Sequence, residues 1–167
     1  MLSLLLAVPL AFSAPPAPPL DVSLIEGAPP TAIEAPATPS QTAVVAALSV
    51  REPKPTCEAI SGLTATPAVD LVWVVEHVNS PPWAGMIAAE CVILGHSAEA
   101  RPTLERWLTE PQLKGLGWSV LRRLDELPLA DALELAALAI ESGPDPAGAR
   151  KRVGRAKTAE IKALAAE

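Results

Sequence analysis

The prolines set the limits on what this chain can fold into. Of nineteen, ten fall between residues 14 and 55, separated mainly by alanine, threonine and serine. APPAPP (14–19), APP (28–30) and EPKP (52–55) lack the donors that a helix interior or a sheet ladder requires. Residues 14–55 therefore read as a Pro/Ala-rich disordered linker. One stretch inside it, SQTAVVAALSV (40–50), suits either a short helix capped by Ser40 or an edge strand over Val44 to Val50. After residue 55 the prolines are sparser, and most stand where a helix can begin, because the first helical turn has no use for the missing N–H.

Read from those starts, residues 56–167 resolve into helices. Thr66-Pro67 opens PAVDLVWVVEHV, with Asp70, Trp73, Glu76 and His77 on one side of a 3.6-residue wheel and Leu71, Val72, Val75 and Val78 on the other. Ser80 is the expected cap of Pro81-Pro82 and of a helix to about Leu94. Trp83, Ile87, Cys91 and Leu94 share its expected inner face, and Gly95 is placed as a left-handed stop. Ser97 is the expected cap of the next helix, with Pro102 in its first turn and Leu104, Trp107 and Leu108 inward. Pro111 opens the cleanest pattern: Leu113, Leu116, Gly117, Val120, Leu121, Leu124 and Leu127. Pro128 opens another, with Leu129, Leu133, Ala136, Ala137 and Ile140, and Asp145-Pro146 and Thr158 begin two short terminal helices. Half of the residues are hydrophobic, with no Tyr and a single Phe. An alanine- and leucine-rich chain of this kind favours an all-α fold.

The connections are short, so successive helices are expected to be antiparallel neighbours. A thirty-residue shift lays Met86, Cys91 and Leu94 on Leu116, Leu121 and Leu124. A twenty-nine-residue shift lays Leu104, Trp107 and Leu108 on Leu133, Ala136 and Ala137. One single-residue indel reconciles the two shifts, giving a weak internal repeat of helical hairpins. AAECVILGHSAEARPTLERWLTEP (88–111) resembles a HEAT repeat: a small-residue and leucine helix, a glycine at its end, a short polar turn, Ala-x-Pro-x-Leu and a second amphipathic helix. The resemblance covers about residues 82–142, and more loosely 56–166, without the Asp and Arg pair that usually links such repeats. It implies an armadillo-type α-solenoid of exported bacterial kind, used as a protein-binding scaffold. It implies no catalytic residues and no cofactor.

MLSLLLAVPLAFS (1–13) reads as a secretory signal peptide, with an apolar core too short to span a bilayer and Ala11-x-Ser13 as the cleavage site. No Lys or Arg precedes that core. The expected destination is the periplasm or the extracellular space, and no later stretch is long and apolar enough for a membrane span. A net charge of −6 argues against nucleic acid and anionic membranes as general partners. The expected partner is another protein of the envelope or secreted fraction.

Few residues invite chemistry. Cys57 and Cys91 are the only cysteines. In an exported chain they read first as a disulfide, and otherwise as two buried thiols. With His77 and His96 they supply the types for a Cys₂His₂ zinc site or a thiol-dependent function, but no C-x₂-C anchor and no suitable spacing. No phosphate loop, G-x-S-x-G or H-E-x-x-H occurs, so no catalytic residue is expected. Asp70, Trp73 and His77 form a stripe which, with Trp118, is the expected protein-binding surface. Its plainer alternative is a solvated face with partly packed tryptophans. ARKRVGRAK (149–157) carries five bases, read as a solvated end helix or a handle for an acidic partner.

Overall fold

The computed structural model describes residues 37–166. The signal peptide read over 1–13 and residues 14–36 of the linker read over 14–55 lie outside the described residues. Among those described there are nine α-helices and no strand, in agreement with the all-α class. They are α1 (Pro39–Ser49), α2 (Cys57–Ser61), α3 (Pro67–His77), α4 (Pro82–Gly95), α5 (Arg101–Thr109), α6 (Lys114–Arg122), α7 (Leu129–Ser142), α8 (Pro146–Val153) and α9 (Ala159–Ala163). Single 3₁₀ turns precede and follow α6 at Pro111–Leu113 and Leu124–Glu126.

The helical unit begins earlier than its composition indicates. α1 lies inside the stretch read as linker, and its cap is Thr38, not Ser40. The Thr38 hydroxyl accepts from the Gln41 N–H at 3.2 Å, and the Thr38 N–H donates to Gln41 Oε1 at 2.9 Å. This reciprocal pair satisfies two donors that a bare helix start leaves open. Val44, Val45 and Leu48 are buried, and α1 packs on α3 and α4. The start of the folded unit therefore moves from Thr56 to the Thr38 cap.

Most expected helix starts are present, with local corrections. Pro67, Pro82, Pro102 and Pro146 occupy first-turn positions, and the cap position of α4 is Pro81, not Ser80. The Asp145 side chain accepts from the Gly148 N–H at 2.9 Å. Ser97 caps nothing: residues 97–100 form turns and α5 starts at Arg101, with Ala100 at its cap position. Gly95 is the last residue of α4 and does not take the left-handed conformation.

Two sets of helices share one core. The odd-numbered helices touch along α1–α3 and α5–α7–α9. The even-numbered helices touch along α2–α4–α6–α8. The two sets join most extensively at α3–α4, α5–α6 and α7–α8. Leu104, Trp107 and Leu108 of α5 are buried as the spacing requires, as are Val120 and Leu121 of α6 and Ala136 and Ile140 of α7. Leu129 is exposed. α5 and α6 meet at Gly117, where a Cβ would lie 2.6 Å from the Trp107 carbonyl oxygen. Glycine is required at that contact because the opposing atom is backbone and cannot move aside.

Side-chain ties between distant residues recur at about thirty residues' separation. Glu76 pairs with Arg106 and Glu90 with Arg123. Arg101 donates to Asp131 at 3.2 Å and to Glu134 at 2.8 Å. Lys114 reaches Asp145 at 3.0 Å. Arg152 donates to the Leu121 and Arg122 carbonyls, at 3.3 and 3.1 Å, on the last turn of α6. Such links were not expected from the motif alone. They exist, carried by arginines and acids that the repeat resemblance does not place.

Asp125 closes the C-terminal end. It accepts from the Lys157 and Thr158 N–H groups at 2.9 to 3.0 Å. Those backbone donors hold its carboxyl below the ordinary aspartate range, and the Gly148 N–H, with Lys114, does the same for Asp145. A carboxyl whose folded pKa is depressed stabilises the fold above its unfolded pKa, about 3.9, and that stabilisation is lost as pH falls through the folded value. Thermal melts of the wild type should therefore drop steeply below about pH 4. The D125N/D145N variant should show a shallower drop over the same window. Parallel pH profiles would show that these donors do not favour the charged form.

Candidate functional site

An open groove of about 960 Å³ lies on the even-numbered helices, lined chiefly by α4 and α6. Its position follows from side-chain size. α4 presents Gly85 and Ala89 there, and α6 presents Gly115 and Ser119, so the two helices leave space between them. Val78, Ala89 and Ile93 are buried in its floor, flanked by half-buried Val75, Ile87 and Leu116. Met86 stands beside them with 69% of its surface exposed. A flexible, polarisable thioether at the mouth of an apolar groove adapts readily to an incoming side chain.

The rim is cationic. Lys54, Arg122, Arg123 and Arg152 line the groove with a single acid, Glu90. Glu90 is shared by Lys54, at 3.6 Å, and by Arg123, which also donates to Glu126 at 2.8 Å. Arg122 donates to the Ser119 hydroxyl at 3.0 Å. The chain as a whole carries −6, so this rim stands against the average charge. Arg152 belongs to the basic stretch 149–157 and is brought here by α8.

The residues singled out by sequence fall elsewhere. Asp70 is not on a solvated stripe. It is 3% exposed, and its carboxylate accepts from the Thr64 and Thr66 hydroxyls, fastening the preceding loop to the first turn of α3. Trp73 and His77 are half-buried and stack at 5.2 Å between ring centroids. His77 Nδ1–H donates to the Trp73 carbonyl at 2.9 Å. Trp118 is half-buried beside Trp107, Leu108 and Gly143 at a crevice of about 20 Å³, room for roughly one water. Neither Trp73 nor Trp118 lines the groove.

Cys57 and Cys91 are joined, with their Cα atoms 5.1 Å apart, within the bridging range. His96 lies across the same junction, its Nε2 2.8 Å from the Ser61 hydroxyl oxygen and its Nδ1 3.8 Å from Glu99. The alternative set Cys57, Cys91, His77 and His96 is not gathered. The cysteines bond to each other, and His77 is occupied within α3. Among the described residues no group of three or more His, Cys, Asp or Glu side chains is placed to hold a metal. No described helix is long and apolar enough to cross a membrane.

No protein-family model, curated protein or solved structure matches the chain. Its function is therefore argued from the groove and the helix arrangement. Sequence reading missed the groove because its lining runs from Lys54 to Arg152 across several elements. The one usable signal was Arg152 within the basic stretch.

Proposed function

We propose that the chain is an exported, non-enzymatic protein-interaction module of HEAT-like α-solenoid type. Its groove receives an extended segment that carries both acidic and apolar side chains. The observation that carries this reading is an apolar floor bordered by four bases and one acid. Opposite charge on the rim steers and aligns a partner, while buried apolar anchors supply most of the affinity. The odd–even packing of the helices and the ties recurring near thirty residues support the stacked-hairpin reading. A disulfide suits an oxidising compartment.

The test is comparative capture from an envelope fraction, wild type against K54E/R122E, which changes two exposed residues of the rim. A specific partner should be retained by the wild type and lost by the variant, with the two melting temperatures within about 3 °C, as expected when surface changes stay within ±0.5 kcal/mol. Equal retention by both proteins would remove the groove from the binding surface.

A second reading has one specific observation behind it: the Ser61–His96–Glu99 arrangement is that of a nucleophile, a base and an orienting acid. Ser61, however, ends α2, where the nearby backbone groups are carbonyls and not the N–H donors that an oxyanion requires. Glu99 is also mostly exposed. Labelling of Ser61 by a fluorophosphonate would favour hydrolysis. An unmodified Ser61 would leave this contact as a tether between α2 and the end of α4.

A further inference from the structure

We infer that the groove is covered by this chain's own segment Leu20–Glu26, LDVSLIE, so that an outside partner must displace it. The inference rests on the reading of the groove as a site for acidic, apolar segments. Three observations lead to it. The first fifty residues contain three acids, Asp21, Glu26 and Glu34, and no base, so this end of the chain is complementary in charge to a rim of Lys54, Arg122, Arg123 and Arg152. Within it, Asp21 and Glu26 bracket Val22, Leu24 and Ile25. Alternation along an extended backbone sends Val22 and Leu24 to one side, where they suit the floor of Val78, Ile87 and Ile93. By the same alternation Glu26 follows Val22 and Leu24 on that side and Asp21 lies on the other, so the acids stand at opposite ends of the run, toward the cationic rim that borders the floor.

The third observation is reach. Ile25 lies thirteen residues before the Thr38 cap of α1, a span of up to ~45 Å when extended. A domain of this size has a radius of gyration of about 14 Å. α1 packs on α4, the same helix that supplies much of the groove. Pro29 and Pro30 lie in the intervening stretch and favour an extended course. Covalent attachment gives the segment an effective concentration near 1 mM, so an intrinsic Kd of ~0.1 mM already covers the groove about 90% of the time.

Met86 reports occupancy directly. It is the only methionine besides Met1 and is exposed in the groove when nothing lies over it. Its oxidation by dilute peroxide, followed by mass spectrometry in the full chain, should be about tenfold slower in the wild type than in D21K/E26K. R122E/R123E should lose the protection as well. Combining the two charge reversals should restore it, which a change in folding alone cannot do. Equal oxidation rates in the wild type and D21K/E26K overturn the inference. A synthetic peptide of residues 20–27, added at millimolar concentration to D21K/E26K, then separates the two readings. If it slows Met86 oxidation, the groove still takes acidic, apolar segments and only the self-occupancy is wrong. If it does not, the groove reading fails too.

Discussion

Replacing Trp107 with alanine is expected to lower stability by about 3–5 kcal/mol, the range for deleting a fully buried large aromatic. Trp107 is 0% exposed and belongs to the single core cluster that runs from α1 to α9. Its backbone is as constrained as its ring. The Trp107 carbonyl sits where a Cβ on Gly117 would fall, and the Leu108 carbonyl lies 3.1 Å from where a Cβ on Gly143 would be. α5 thus abuts glycines of α6 and of the α7–α8 connection and cannot readily collapse into the cavity that alanine leaves. Failure to collapse is what places a site at the upper end of the range. One effect opposes this. The indole N–H has no acceptor among the described residues, so truncating the ring breaks no hydrogen bond within them. Phenylalanine removes that donor and keeps most of the ring, so W107F should lose much less than W107A. Urea unfolding followed by circular dichroism separates the three proteins. A loss under ~1 kcal/mol for W107A, a surface-like value, would mean that α5 is not part of the shared interior.

What sequence made legible, and what it hid, follows from where polarity alternates. α5 reads RPTLERWLT, with charged and apolar residues in strict rotation, and its inward set was readable in full. α4 reads PWAGMIAAECVILG, almost apolar all round. With no polar face to oppose, its orientation could not be read. Trp83, Ile87, Cys91 and Leu94 were assigned inward, yet Leu94 is exposed while Ala84, Ala88 and Ala89 are buried with Cys91. Small residues are chosen where α3 and α4 approach closely, so size misleads there. Asp70 failed for the opposite reason. A carboxylate was read as solvated, but two upstream threonines supply the donors that allow it to be buried. α1 was obscured by its company, since the prolines around it gave a linker signal while Thr38 and Gln41 set a cap. The cysteine pair needed no geometry, because two cysteines in a chain read as exported have one intramolecular pairing. The groove is a property of packing between α4, α6 and α8, and no local pattern encodes it.

Removing the Cys57–Cys91 bridge is expected to lower stability by about 4 kcal/mol, the chain-entropy value for a loop of this length; the two cysteines are 34 residues apart. For a domain of intermediate size that corresponds to a fall in melting temperature of roughly 10–20 °C. Little else holds α2 in place. α2 has five residues, far too few to persist alone, and its Ile60 is fully buried in the core. Besides the bridge it is held to the end of α4 by Ser61 and His96. The residues just before it reach α4 through Lys54–Glu90 and through Arg51 over the Trp83 ring at 5.9 Å. Both are partly exposed contacts worth about 1 kcal/mol or less. C57A/C91A should therefore release residues 51–61 first. Amide exchange would quicken at Ile60 well before it quickens at Leu135 of α7. Lys54 would leave the groove rim in the same step, so a segment bound there should dissociate faster from the variant. A reductant should reproduce both effects in the wild type and change nothing in C57A/C91A. If the wild type melts identically with and without reductant, the two sulfurs do not hold α2 to α4, and the support drawn from them for an oxidising compartment falls with the bridge.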